Sequence, residues 1–182
     1  MKNNFLFVLI LAFISCKEQE GRRPIQATPS VTIYEAVKEE SKIINEIENK
    51  KIEYYIQQDS LATYINSSYG FWYKYNIKTS EEKPTPAVGD ALELSYEIKN
   101  LTGEIIYSKE ELGVKTLKIG NEDFISALQD GIKLMKVGEN ITFAIPSYKA
   151  FGISGDKNRI GINQSLIVTV TLINIKQKNE NY

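Results

Sequence analysis

The run LIVTVTLINI, Leu166 to Ile175, is apolar or β-branched on both faces of an extended chain. A strand alternates its side chains between two faces, so such a run is stable only where both faces are covered. It predicts a central strand, and the remaining segments must supply its neighbours and its cover. ALELSYEI is one neighbour, with Leu92, Leu94, Tyr96 and Ile98 on one face and Glu93, Ser95 and Glu97 on the other. The turn KNLTGE leads to IIYS, a break at Gly113 leads to VKTLKIG, and ENITFAI alternates again. EDFISALQDGIKLM supplies one helix, with Phe124, Leu128, Ile132 and Met135 at helical spacing and Asp123 able to cap its start. The predicted fold class is α+β: an antiparallel twisted β-sheet wrapped around one short helix.

A different periodicity precedes this domain. TIYE, Thr32 to Glu35, has capping-box spacing, and Val37, Ile44, Ile47, Tyr54 and Tyr55 then recur at roughly helical intervals. These predict a long N-terminal amphipathic helix, whose stripe either packs on the following domain, the simpler arrangement, or pairs with a second copy in a homodimer. SYGFWYKYNIK, Ser68 to Lys78, is aromatic and β-like, and TSEEKPTPAVGD has the composition of a linker.

The opening residues MKNN carry one positive charge and lead into an apolar run from Phe5 to Ile14 that is too short to span a bilayer. Ser15 and Cys16 follow directly, as in a secretory signal ending at a cysteine. FISC resembles the lipobox of bacterial lipoproteins, which implies cleavage before Cys16 and acylation of its thiol. The expected organisation is a signal peptide over 1–15, a polar tether over 16–30 and a helical region with the aromatic segment over 31–80. A linker over 81–88, the sheet domain over 89–176 and a polar tail over 177–182 complete it. The expected location is a lipid anchor in a bacterial outer membrane, facing the periplasm or, alternatively, the cell surface.

Composition narrows the chemistry. Lys and Arg (22) balance Asp and Glu (23) for a net charge of −1. No basic stripe is present to track nucleic-acid phosphates. With no histidine and one cysteine, the chain has no Ser-His or Cys-His nucleophile, no histidine-ligated metal and no internal disulfide. GISGDKNRIG lacks the spacing of a phosphate-binding loop, so no cofactor is expected.

Three segments, VGDALELSYEIKNLTGEIIYS, IGNEDFISALQDGIKLMKVGENITFAIPSYKAFG and INQSLIVTVTLINI, resemble in order and spacing the FKBP-type peptidyl-prolyl isomerase domain. The resemblance runs from about Val88 to Lys176 and is strongest at GIKLMKVGE and IPSYKAFG. FISC, RRPI, the long helix and GFWYKYN together resemble the isomerase lipoproteins associated with gliding motility. The family resemblance implies an apolar, aromatic pocket for a substrate proline, lined by Phe151. It implies that Tyr96 is the pocket tyrosine of the first strand and that Phe124 and Ile125 open the helix, the Ile125 N–H donating to a substrate carbonyl. It makes Ile160 the apolar rim residue of the long loop. Ile106 stands at an aromatic position, Tyr107 where many members have Asp, Leu128 in place of a floor Trp, and Val168 in place of an aromatic. Phe151 lacks the hydroxyl of the commoner Tyr, and the Tyr107 hydroxyl is expected to compensate in part.

Read by periodicity alone, Phe124, Leu128 and Val168 are core residues on a sheet facing a helix. The resemblance implies a membrane-anchored prolyl cis/trans isomerase acting on proline-containing polypeptide clients as a folding aid. The alternative is a non-catalytic binding or assembly module whose pocket has drifted, as Leu128, Tyr107 and Val168 suggest.

Overall fold

The computed structural model describes residues 31–120 and 124–177. The expected signal peptide, Cys16, the tether, the Asp123 cap and residues 178–182 lie outside the described residues. Among the described residues, those from Val37 onward belong to one compact unit, described below.

The long helix α1, Val31–Gln58, spans 28 residues. Thr32 is already helical and does not cap it. From Val37 onward, its buried face runs through Ile44, Glu48, Ile52, Tyr55 and Ile56, a helical series in which Glu48 (3% exposed) and Ile52 (0%) are the most deeply placed. Of the expected stripe, Val37, Ile47 and Tyr54 are exposed. The phase differs because a carboxylate, invisible to an apolar pattern, occupies the centre of the packed face.

Among the described residues, seven strands form one antiparallel sheet: β1 (Ile65–Asn66), β2 (Trp72–Ile77), β3 (Ala91–Lys99), β4 (Ile105–Tyr107), β5 (Lys115–Lys118), β6 (Asn140–Ile145) and β7 (Leu166–Lys176). Their order is β1-β2-β6-β7-β3-β4, with β5 also pairing with β3. The β7 strand is central, flanked by β6 through Phe143↔Val168 and by β3 through Ile98↔Val168. Because β2 pairs with β6, the sheet takes strands from both sides of the 81–88 segment.

The pleat of β7 explains why both of its faces are apolar. Leu166, Val168, Val170 and Leu172 enter the main core with Phe71, Leu92, Leu94, Leu128 and Phe143. Ile167, on the opposite face, joins Ala144 and Ile52 of α1, with Tyr55, Ile56, Tyr64, Trp72 and Leu101 packed around them. The helix therefore packs in cis on one face of the sheet, while the short helix covers the other.

That short helix, labelled α3 below, differs from its expected span. A one-turn helix α2, Lys109–Leu112, precedes it where no helix was expected; Ser108 caps α2 by accepting from the Glu111 N–H at 3.2 Å. The regular part of α3 is Ser126–Gly131, after which the ladder tightens into a 3-10 turn at Ile132–Leu134. Phe124 and Ile125 precede the helix, Ile125 being extended (φ −51°, ψ 120°). Gly131 lets α3 lie directly against β6, since a Cβ there would fall 2.4 Å from the Phe143 ring.

Candidate active site

All nine residues expected at the site meet at the main core, at two depths. Ile125 (4% exposed), Leu128 (0%), Ile160 (3%) and Val168 (0%) are buried within it. Tyr96, Ile106, Tyr107, Phe124 and Phe151 pack on it half-buried. The result is an apolar floor beneath partly exposed aromatic walls, the general form of a small-ligand site. Strand β3 presents Tyr96 toward this face by its alternation with Leu92, Leu94 and Ile98. Its ring meets Phe124 edge to face, with centroids 5.8 Å apart and planes at 86°, a favoured aromatic geometry.

The depths agree with the floor and core readings of Leu128 and Val168 and correct the rim position of Ile160. Leu128 and Val168 have no exposed surface, so they support the walls from below and do not line the opening. Ile160, expected at the rim, is buried: its N–H donates to Asp156 Oδ1 at 2.8 Å, folding the loop inward. Gly155 permits this fold with φ 60°, and a Cβ there would lie 2.3 Å from the Ile160 carbonyl oxygen.

The Tyr107 hydroxyl is also differently employed. It donates to Asp156 Oδ2 and accepts from Asn158 Nδ2 at 3.0 Å, so it does not stand in for the hydroxyl missing from Phe151. Its hydrogen bond to Asp156, together with burial and the nearby carboxylate charge, pushes the phenol above its usual pKa. Burial works to raise the Asp156 pKa, but the hydrogen bonds from Tyr107 and from the Asn158, Ile160 and Arg159 backbone outweigh it and hold the carboxyl below its usual range.

Arg159 completes the clamp. Its guanidinium lies 4.3 Å from the Tyr107 ring centroid, donates to the Ile106 carbonyl at 2.7 Å and pairs with Glu111. Sequence reasoning missed Asp156, Arg159 and Glu111 as site-supporting residues. Their partners lie about fifty positions away in the chain, beyond any local periodicity, and only the mixed charges of GISGDKNRIG hinted at them.

Two donors of the site have no partner among the described residues. The Tyr96 hydroxyl has no hydrogen-bond partner among the described residues, and burial raises its pKa. The Ile125 carbonyl accepts from Leu128 and Gln129 at 3.0 and 3.1 Å, while its N–H finds no acceptor among the described residues. Phe151 follows β6 through Pro146 and a tight turn at Ser147–Lys149, and the Ser126 hydroxyl holds that turn to α3 by donating to the Lys149 carbonyl at 2.9 Å. A separate groove of about 610 Å³ lies beside α1, lined in part by Ile47, Tyr54, Tyr55 and Leu101; it shares no residue with the aromatic site.

Comparison with known proteins shows the family of the sheet domain. The model of the FKBP-type peptidyl-prolyl cis-trans isomerase family matches residues 82–173. The chain is 30% identical over 103 residues to a probable FKBP-type peptidyl-prolyl cis-trans isomerase FkpA of Neisseria meningitidis serogroup B, covering 56% of this chain and 37% of that one. It is 26% identical over 105 residues to the peptidyl-prolyl cis-trans isomerase Mip of Coxiella burnetii, covering 58% and 45% respectively. The match thus spans less than half the length of either relative. A crystal structure of a peptidyl-prolyl cis-trans isomerase from Pseudomonas syringae pv. tomato superposes with a TM-score of 0.61 at 18% identity, covering 75% of this chain and 96% of that one, a likeness of fold.

Proposed function

Because this chain belongs to the FKBP-type peptidyl-prolyl cis-trans isomerase family, we propose that it catalyses cis/trans isomerisation of X-Pro bonds at the Tyr96–Phe124–Phe151 site. The observation that carries this reading is the half-exposed aromatic wall of Tyr96, Phe124 and Phe151 packed on the buried apolar residues Ile125, Leu128, Ile160 and Val168. Rotation about an X-Pro bond crosses a barrier of about 20 kcal/mol that comes from amide resonance, and no bond is made or broken. A dry apolar pocket favours the twisted amide, whose resonance and charge separation are reduced, over the planar one. The proline ring would pack against Phe124 and Phe151. The Ile125 N–H and the Tyr96 hydroxyl would donate to carbonyl oxygens of the bound chain and fix its orientation.

The test is NMR exchange on a series of X-Pro peptides with the purified protein in detergent. Acceleration across several X residues supports the reading. Peptide binding without acceleration supports the second one, a non-catalytic binding module, which the full burial of Leu128 and Val168 and the engaged Tyr107 hydroxyl favour.

Cys16 after the apolar run supports a lipid anchor in an outer membrane, with exported or periplasmic polypeptides as clients. Among the described residues, no helix is long and apolar enough to cross a membrane. The link to gliding motility rests on the resemblance of the N-terminal segments, and the homodimer on the exposed apolar positions of α1. A Cys16→Ser variant should lose both palmitate-analogue labelling and membrane fractionation; retention of both overturns the anchor.

A further inference from the structure

The aromatic site lies on one face of the sheet and α1 on the other, yet one side chain of α1 grips the loops that carry the site. Glu48 is 3% exposed. Its Oε2 accepts the Ser147 backbone N–H at 2.6 Å and its Oε1 accepts the Ser147 hydroxyl at 2.7 Å. Oε2 also accepts the Ser165 hydroxyl at 3.2 Å. One residue further along, Asn49 Oδ1 accepts the Tyr148 hydroxyl at 3.2 Å. No cation forms an ion pair with Glu48 among the described residues.

We infer that Glu48 is a positioning residue for the isomerase site, holding the Phe151 loop in place from outside the segment that the family model matches. The inference rests on the isomerase reading above. Ser147 is the first residue of the tight turn after Pro146, where a backbone N–H has no partner within the turn. The carboxylate supplies that partner. The turn then closes through Lys149 N–H to Pro146 O at 3.0 Å and Ala150 N–H to Ser147 O at 2.8 Å, and delivers the chain to Phe151. Ser165 stands at the other end of the long loop, immediately before β7. One carboxylate thus fixes the exit of β6 and the entry of β7, between which Phe151 and Ile160 both lie.

An apolar residue would fill this position with less desolvation cost than a buried carboxylate. What it would lack is a bidentate acceptor that sets the direction of the Ser147 N–H and hydroxyl together. The burial of Glu48 is therefore explained by the geometry of the loop better than by packing. Family pattern matching cannot find it, because Glu48 lies 34 positions before residue 82, where the match begins.

Two Glu48 variants in the full chain test this. Glu48→Gln replaces one acceptor oxygen by a donor, and Glu48→Met removes both acceptors while keeping the volume. For each, kcat and KM on an X-Pro peptide are measured by NMR exchange. Denaturant midpoint and amide hydrogen exchange at 148–151 are measured beside them. The expected result is a fall in kcat/KM of roughly tenfold for Glu48→Met. Glu48→Gln should fall less, and amide exchange should accelerate at 148–151 while the β7 amides stay protected. Ser147→Ala, which keeps the backbone bond to Glu48, provides a milder variant if Glu48→Met does not fold, and should lose several-fold in kcat/KM. Folded variants with wild-type kcat/KM and unchanged exchange at 148–151 overturn the inference while leaving the isomerase reading intact. A wild-type protein that does not accelerate exchange overturns the isomerase reading, and the inference with it.

Discussion

The Tyr107 hydroxyl donates to the Asp156 carboxylate across 49 positions of sequence, tying β4 to the loop that follows Phe151. The two pKa shifts of this pair act in opposite pH ranges. Asp156 is lowered in the folded protein, so its contribution is present above the ordinary carboxylate range and is lost as pH falls through the lowered value. Tyr107 is raised, so its contribution is complete below the ordinary phenol range, about pH 10, and is lost as pH rises through the raised value. Between these limits, Tyr107→Phe should lower stability by about 0.5–1 kcal/mol, below the usual range for a hydrogen bond to a charged group because solvent near the surface screens the pair. Chemical denaturation of wild type and variant at acid, neutral and alkaline pH checks this: the difference should shrink at both extremes.

Activity itself should depend little on pH across the neutral range. The chain has no histidine, and the proposed chemistry transfers no proton. From about pH 5 to about pH 9, kcat/KM should therefore show no inflection. A bell-shaped profile centred near neutrality would point to an acid-base step that this site does not contain.

The Tyr96 hydroxyl, without a partner among the described residues, gives a test of substrate orientation. Tyr96→Phe keeps the edge-to-face contact with Phe124 and removes only the donor. If that hydroxyl reaches a substrate carbonyl, kcat/KM should fall several-fold, equivalent to about 1 kcal/mol, with no change in the denaturant midpoint. An unchanged kcat/KM removes Tyr96 from the polar part of the site and leaves it as a wall.

Much of this fold follows from residues whose pattern is local. The two-sided apolar run of β7 identifies the centre of the sheet because a pleated strand has only two faces, and the structure covers one with α3 and the other with α1. The period-2 alternation of β3 likewise puts Tyr96 on the site face. What escapes local reading is depth and long-range polar pairing. Ile160 reads as a rim residue until its N–H is seen to fold inward onto Asp156. The phase of α1 is hidden because Glu48 counts as a solvent-facing residue in any apolar pattern, while its partners Ser147 and Ser165 lie about a hundred positions away.

Gly131 marks a close contact between α3 and the sheet. A Cβ there would meet three Phe143 ring carbons at 2.4, 2.9 and 3.1 Å. Phe143 is fully buried and cannot swing aside, so Gly131→Ala should cost about 1–3 kcal/mol by overpacking, more than any gain in helix propensity. A lowered denaturant midpoint checks this, and an unchanged or raised midpoint would show that α3 is free to move off β6.

The pair Phe151→Ala and Leu128→Ala separates the wall of the site from its floor. Phe151 is half-buried, so truncating it opens little enclosed volume, and the fold should persist while isomerase activity falls. Leu128 has no exposed surface and sits on the packed face of α3. Its truncation leaves a cavity in the core on which Tyr96 and Phe124 pack, which should cost about 2–5 kcal/mol, with activity lost as the walls lose their support. Denaturant melts paired with isomerase assays distinguish the two. Should Phe151→Ala unfold the domain, or leave activity untouched, IPSYKAFG is a structural corner and the proline site lies elsewhere on the sheet.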